Sequence, residues 1–145
     1  MGELIGEATT TKGGLMSALD KQYKGANNYN ILPSNKYYRL FALKQDYKHG
    51  IFELNVARAP SWGGGIPTKI LISANTDNTT DLGILCTFVH GNNADIKFFK
   101  DNGYLYIKNT YTYGLIVTYT IEGSVTPSIA IVDSLSGSEE EVVAV

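Results

Sequence analysis

The sequence predicts an all-β chain: an antiparallel β-sandwich or jelly-roll head, preceded by a short N-terminal stalk with one short helix. Three observations predict it. Segments of about 6 to 10 residues rich in Val, Ile, Tyr, Phe and Thr recur from residue 37 onward. Clusters of Gly, Asn, Asp, Ser and Pro separate them. No segment in that zone has helical period or length. Short strands at such spacing form two packed antiparallel layers.

Three zones follow from composition. Residues 1–36 are polar, rich in Gly, Asn and Thr and poor in core material, and read as a segment apart from the head; the resemblance given below implies that they are a stalk and trimerisation segment. Within them, Ser17 is an N-cap with Asp20 three residues on, which approximates a capping box. Leu15, Met16, Leu19 and Tyr23 fall on one side of the resulting helix. Gly25 and "ANNYN" end it. Helices below about 12 residues are marginal in water, so this apolar stripe requires a partner, either the head or copies of itself.

Residues 37–134 form the head. Its expected strands are "YYRLFALKQ", "GIFELNVARA", "TKILISAN", "LGILCTFVHG", "ADIKFFKD", "GYLYIKNT", "YGLIVTYTI" and "PSIAIVDS". The turns are "KHG", "APSWGGGIP", "NTDNTTD", "HGNNAD", "DNG", "TYTY" and "EGSVTP". One hairpin is solvable: Asn102-Gly103 supplies the two positive-φ positions of a type I′ turn. That pairs Asp101 with Tyr104, Lys100 with Leu105, Phe99 with Tyr106, Phe98 with Ile107 and Lys97 with Lys108. Ile96, Phe98, Leu105 and Ile107 then face the core. Lys97, Phe99, Tyr104, Tyr106 and Lys108 face away, an aromatic patch framed by lysines that reads as a contact surface. Residues 135–145 form a C-terminal tail in which Glu139–Glu141 read as solvated.

Function classes narrow by charge and chemistry. The 145 residues carry a formal charge of −2 without a basic block, which argues against nucleic acid or anionic lipid as partner. A single cysteine, Cys86 in the apolar run "LGILCTFVH", excludes an internal disulfide and reads as a buried thiol. The start "MGELIGEATTTK" lacks an apolar core, so no signal peptide is expected, and no apolar run reaches the ~20 residues of a membrane span. His49 and His90 sit in turns at strand ends without metal-ligand spacing. "SWGGGIP" lies between strands and has no following helix to cradle a phosphate. The Asn75–Asp81 stretch lacks the order of a calcium loop and reads as an Asx-rich turn. No metal, cofactor or catalytic residue is expected. The acids mostly stand at strand ends, though a glycosidase pair need not be close in sequence.

Ten tyrosines against one tryptophan and five phenylalanines favour recognition: each offers flat apolar area with a hydroxyl at its rim. About half are expected to fill the core. The binding candidates are Trp62, Phe99, Tyr104, Tyr106 and Tyr111, with Asn92 and Asn93 as loop donors.

The opening stretch "ATTTKGGLMSALDKQYK" resembles the "A-T-T-x-x-G-L-M-S-x-x-D-K-x-K" segment of bacteriophage and prophage tail-fibre and minor tail proteins. Thr9, Thr10, Gly14, Leu15, Met16, Ser17, Asp20, Lys21 and Lys24 match it, while Gln22-Tyr23 alter its closing rhythm. The stretch Tyr37–Ala59 also looks like the opening strands of the terminal domains that follow such segments. The resemblance implies the distal piece of a fibre in the virion tail, or a short complete gene product of that kind. It implies a homotrimer with Leu15, Met16, Leu19 and Tyr23 facing the axis, and a head that binds a host-surface polysaccharide or protein receptor without catalysis. A monomeric carbohydrate-binding module and a tailspike-type glycan-degrading enzyme are the alternatives.

Overall fold

The computed structural model describes residues 29–59, 66–77, 81–91 and 93–145, with the backbone alone for Asn93. The expected helix with Leu15, Met16, Leu19 and Tyr23 lies outside the described residues, as do Trp62 and Asn92. The chain divides into units Met1–Asn30 and Ile31–Val145, and the second is the subject below.

All eight expected strands are present. In chain order the described strands are β1 (Asn30–Leu32), β2 (Tyr37–Ala42), β3 (His49–Arg58), β4 (Thr68–Asn75), β5 (Gly83–His90), β6 (Ile96–Asp101), β7 (Tyr104–Asn109), β8 (Leu115–Gly123), β9 (Pro127–Val132) and β10 (Glu140–Val142). A 3-10 turn, Asn93–Asp95, precedes β6. They form two five-stranded sheets, ordered β9-β2-β7-β6-β10 and β1-β8-β3-β4-β5. Strands β3, β4 and β5 run as a meander in the second sheet, and β6 and β7 form a hairpin in the first.

The layers meet over an apolar core. Leu40, Phe41, Phe98, Leu105 and Ile107 come from the first sheet; Leu54, Ile70, Ile72, Leu115 and Val117 come from the second. Aromatic contacts cross between the layers: Phe41 lies 5.4 Å from Phe52, and Phe98 lies 5.5 Å from Phe88, centroid to centroid. Phe52 in turn stacks on Tyr119 at 5.2 Å. Such pairs add to the free energy of area burial.

The hairpin has the expected register from Lys97↔Lys108 to Asp101↔Tyr104. Asn102 at φ 49° and Gly103 at φ 82° make its turn. On β2 simple alternation breaks, because Arg39 opposes Tyr106 while Phe41 opposes Leu105. Leu40 is the extra residue of a bulge, and the kink lets both Leu40 and Phe41 enter the core, each fully buried. Between β3 and β8, Gly50 faces Gly123. A Cβ on Gly123, at φ +119°, would stand 2.3 Å from the His49 carbonyl oxygen, so this close backbone approach requires glycine.

Two strands lie where no strand was expected. One is β1, inside the presumed stalk. The other is β10, in the tail where solvated glutamates are expected: Glu140 and Glu141 are exposed, yet they pair with Lys100 and Phe99 along the edge of β6. Val142 and Ala144 pack on the core, and the Val145 amide donates to the Cys86 carbonyl at 2.9 Å. The apolar end therefore straps the β5 edge of one sheet to the β6 edge of the other. Asp101, 7% exposed, anchors the approach to this strap by accepting from the backbone N–H and the hydroxyl of Ser136. Cys86 beneath it is buried, and burial pushes its thiol up to about 12.

Candidate functional site

The outward face of the first sheet is built by period-two alternation on its three central strands. Strand β2 contributes Tyr37 and Arg39, β7 contributes Tyr104, Tyr106 and Lys108, and β6 contributes Lys97 and Phe99. Register sets them in rungs across the sheet. One runs Val132, Tyr37, Lys108, Lys97; the next runs Ala130, Arg39, Tyr106, Phe99, Glu141.

The rings are held in place by one another and by cations. Tyr37 meets Phe99 edge-on at 6.0 Å, and Tyr104 meets Tyr106 edge-on at 6.5 Å. The Arg39 guanidinium lies 4.6 Å from the Tyr104 centroid, while its Nε donates to the Ser128 carbonyl at 2.9 Å. Lys108 Nζ lies 5.5 Å from the Tyr37 centroid. Cation–π contacts of this kind fix long side chains that would otherwise roam. Tyr106 is only 6% exposed. Burial pushes its phenol up, and Arg39, charged and hydrogen-bonded to it, pulls the other way. Tyr106 is thus the floor of the patch, and Tyr37, Phe99 and Tyr104 present its half-exposed rings.

Tyr111 and Asn93 lie elsewhere. Tyr111 follows the far end of β7, roughly 20 Å from Tyr104 at the usual strand rise. It belongs to a second cluster. The Arg58 guanidinium lies 4.3 Å from its centroid and makes a two-pronged pair with Asp95, Nε to Oδ2 at 2.9 Å and Nη2 to Oδ1 at 3.2 Å. The carboxylate of Asp95 raises the Arg58 pKa further. Asn93 opens the turn that ends in Asp95. Tyr113, 54% exposed, meets Tyr111 edge-on at 5.9 Å.

Asn109 braces the loop that carries both tyrosines. Fully buried, its side-chain amide donates to the carbonyls of Leu32 at 2.9 Å and Tyr113 at 2.8 Å, and its Oδ1 accepts from the Tyr111 N–H at 2.7 Å. Ser34 Oγ also donates to the Tyr111 carbonyl.

Sequence reasoning brought Phe99, Tyr104 and Tyr106 to one face. It missed Tyr37, Arg39, Arg58, Asp95 and Tyr113. Alternation in "YYRLF" was a signal for the first two, with Tyr37 and Arg39 on one side and the buried Tyr38 on the other. No local pattern announces Arg58 with Asp95, whose pairing depends on strands that meet only in the fold.

Two clefts flank the first sheet. One of about 460 Å³ lies under the C-terminal strap, lined by Phe88, Ile96, Phe98 and Val142–Val145 among others. The other, about 320 Å³, borders the β6–β7 turn and holds Asp81, Lys100, Asp101 and Glu140. Both oxygens of Asp101 there already accept from Ser136. Among the described residues, no three His, Cys, Asp or Glu side chains gather as a metal site would require.

No protein-family profile matches the chain, and no curated protein matches it in sequence. Among solved structures, the chain is similar to a tailspike protein, gp49, from Acinetobacter baumannii bacteriophage Fri1, described as a capsular polysaccharide depolymerase. The likeness covers 90% of this chain at 16% identity, with a TM-score of 0.39, and the chain spans 26% of that protein's length.

Proposed function

We propose that the chain is the distal head of a phage tail fibre, a homotrimeric virion component that attaches to host-surface glycan without cleaving it. The observation that carries this reading is the outward face of the first sheet, where Tyr37, Phe99 and Tyr104 stand half-exposed on a floor made by Tyr106 and Arg39. A sugar ring stacks on such a surface by its apolar C–H face, while Arg39 and the tyrosine hydroxyls take up its oxygens. The resemblance of Ala8–Lys24 to a tail-fibre segment supports the assembly half of the reading. One shallow face binds weakly, and three on a common axis convert weak contacts into firm attachment.

The test combines sedimentation equilibrium with retention on an array of bacterial surface polysaccharides. The expected mass is three times 15.8 kDa. Tyr104→Ala is expected to weaken retention by at least about tenfold, as loss of a central aromatic contact does. It is expected to leave the oligomer unchanged and to lower the melting temperature only modestly, because the ring is partly exposed and packs on Tyr106 and Arg39 at the surface of the sheet. A monomer contradicts the fibre reading and favours a monomeric carbohydrate-binding module. A trimer that dissociates on Tyr104→Ala makes the rings a subunit interface instead. Polysaccharide shortened on incubation contradicts the non-catalytic part.

A further inference from the structure

The rung Tyr37–Lys108–Lys97 has an unbalanced charge. Lys97 and Lys108 are direct cross-strand partners near the centre of the sheet, on the same outward face. Like charges so placed, with Cβ atoms about 5 Å apart, destabilise a sheet. Neither ammonium makes an ion pair among the described residues, whereas Lys36, Arg58 and Lys69 do. Lys108 Nζ lies over the Tyr37 ring, 5.5 Å from its centroid. Arg39 adds a third cation one rung along, engaged by the Ser128 carbonyl, the Tyr104 ring and the Tyr106 hydroxyl but, among the described residues, by no carboxylate. Against these cations the face sets Glu141 at its edge and Asp101, which is occupied by Ser136. On a chain whose net charge is −2, this is a local concentration of positive charge among half-exposed rings.

We infer that the face takes an anionic saccharide, a uronic-acid-bearing polysaccharide, with its sugars on Tyr37, Phe99 and Tyr104 and a carboxylate over Lys97 and Lys108. This rests on the glycan-binding reading above and narrows it. A carboxylate placed there accepts charge-assisted hydrogen bonds from both ammonium groups and removes their mutual repulsion. Neutral sugar offers the rings the same stacking but leaves the lysine rung unrelieved. Three cations make too short a basic track for a phosphate backbone, which takes its affinity from many Lys and Arg contacts, and this favours saccharide.

The test passes the full-length protein over immobilised polygalacturonate, alginate and hyaluronate, each beside its carboxyl-reduced form, at low and high salt. The expected result is retention by at least one acidic polymer, weakened by salt and lost on carboxyl reduction. Lys97→Gln is expected to weaken that retention about fivefold, as for a partly exposed ion pair, and Lys97→Gln with Lys108→Gln further. The same variants are expected to melt no lower than the parent, which separates a ligand contact from a structural one. Equal retention by acidic and reduced polymers overturns the anionic assignment while leaving glycan binding in place. Retention by none of the acidic polymers also overturns it, and the receptor reading then stands or falls on the polysaccharide array. Single-stranded DNA held as tightly as the best acidic polymer assigns the cations to nucleic acid instead.

Discussion

Replacing Asn109 by alanine tests how the loops around the second tyrosine cluster are held. The side chain is fully buried and makes three hydrogen bonds, to the carbonyls of Leu32 and Tyr113 and from the N–H of Tyr111. Alanine removes all three and strands their backbone partners where water has little access. Each net bond is worth about 1 kcal/mol, and a buried group left unpaired costs about 1–3 kcal/mol. Discounting for the partly exposed Tyr111 and Tyr113, the total is about 3–5 kcal/mol. For a head of this size that lowers Tm by about 12–20 °C, at roughly 4 °C per kcal/mol. Asn109→Asp should be at least as harmful above neutral pH, because a buried carboxylate cannot donate to either carbonyl. Urea unfolding at fixed protein concentration, followed by tyrosine and tryptophan fluorescence, measures both variants. A loss below about 1 kcal/mol for Asn109→Ala would refute the idea that this amide holds the loop.

Other perturbations address different parts of the molecule. Gly123→Ala combines a φ of +119° with a Cβ 2.3 Å from the His49 carbonyl oxygen, so soluble expression should fall sharply and any soluble fraction should melt well below the parent. Removing residues 140–145 strips the strap from β6 and from the Cys86 carbonyl, so Cys86 should become reactive to a thiol reagent at rates far above the parent's. Unchanged protection would show that the strap does not seal that edge. Alkaline stability should decline in a defined window. Burial raises Tyr38 from 10.0, and Cys86 from 9.0, each to about 12. Both groups stay protonated in the folded state at a pH where the unfolded chain releases the proton. Their contribution is thus complete below about pH 9 and is lost as pH rises through 12, about 7 kcal/mol together. Cys86→Ala should remove the lower part of that decline, and an unchanged profile would contradict the assignment.

Much of this fold was legible because its signals are local. An Asn-Gly pair between alternating segments fixes turn, register and facing in one step, and β6–β7 follows it from Lys97 to Lys108. The strands Asn30–Leu32 and Glu140–Val142 were not legible. Three residues carry no period, and charged residues on an edge strand look the same as charged residues in solvent. The bulge at Leu40 was hidden for a related reason, since two adjacent apolar residues do not say which of them lacks a partner.

The candidate site divides along the same line. That Phe99, Tyr104 and Tyr106 share a face follows from alternation, but that Tyr106 is covered does not. Its burial depends on Arg39 from β2, a strand more than sixty positions earlier whose adjacency to β7 is set by the sheet order. Tyr111 went to a different cluster because Arg58 at the end of β3 reaches Asp95 and Tyr111 together. Composition names the residue types of a recognition surface, whereas long-range pairing decides which of them meet.

Chemical-shift mapping of the tyrosine and phenylalanine rings, during titration with oligosaccharides from a polysaccharide retained on the array, locates the glycan on the protein. Binding on the first sheet gives perturbations concentrated at Tyr37, Phe99 and Tyr104, with Tyr113 unmoved. Perturbations centred on Tyr111 and Tyr113, with the rings of the first sheet silent, would contradict it.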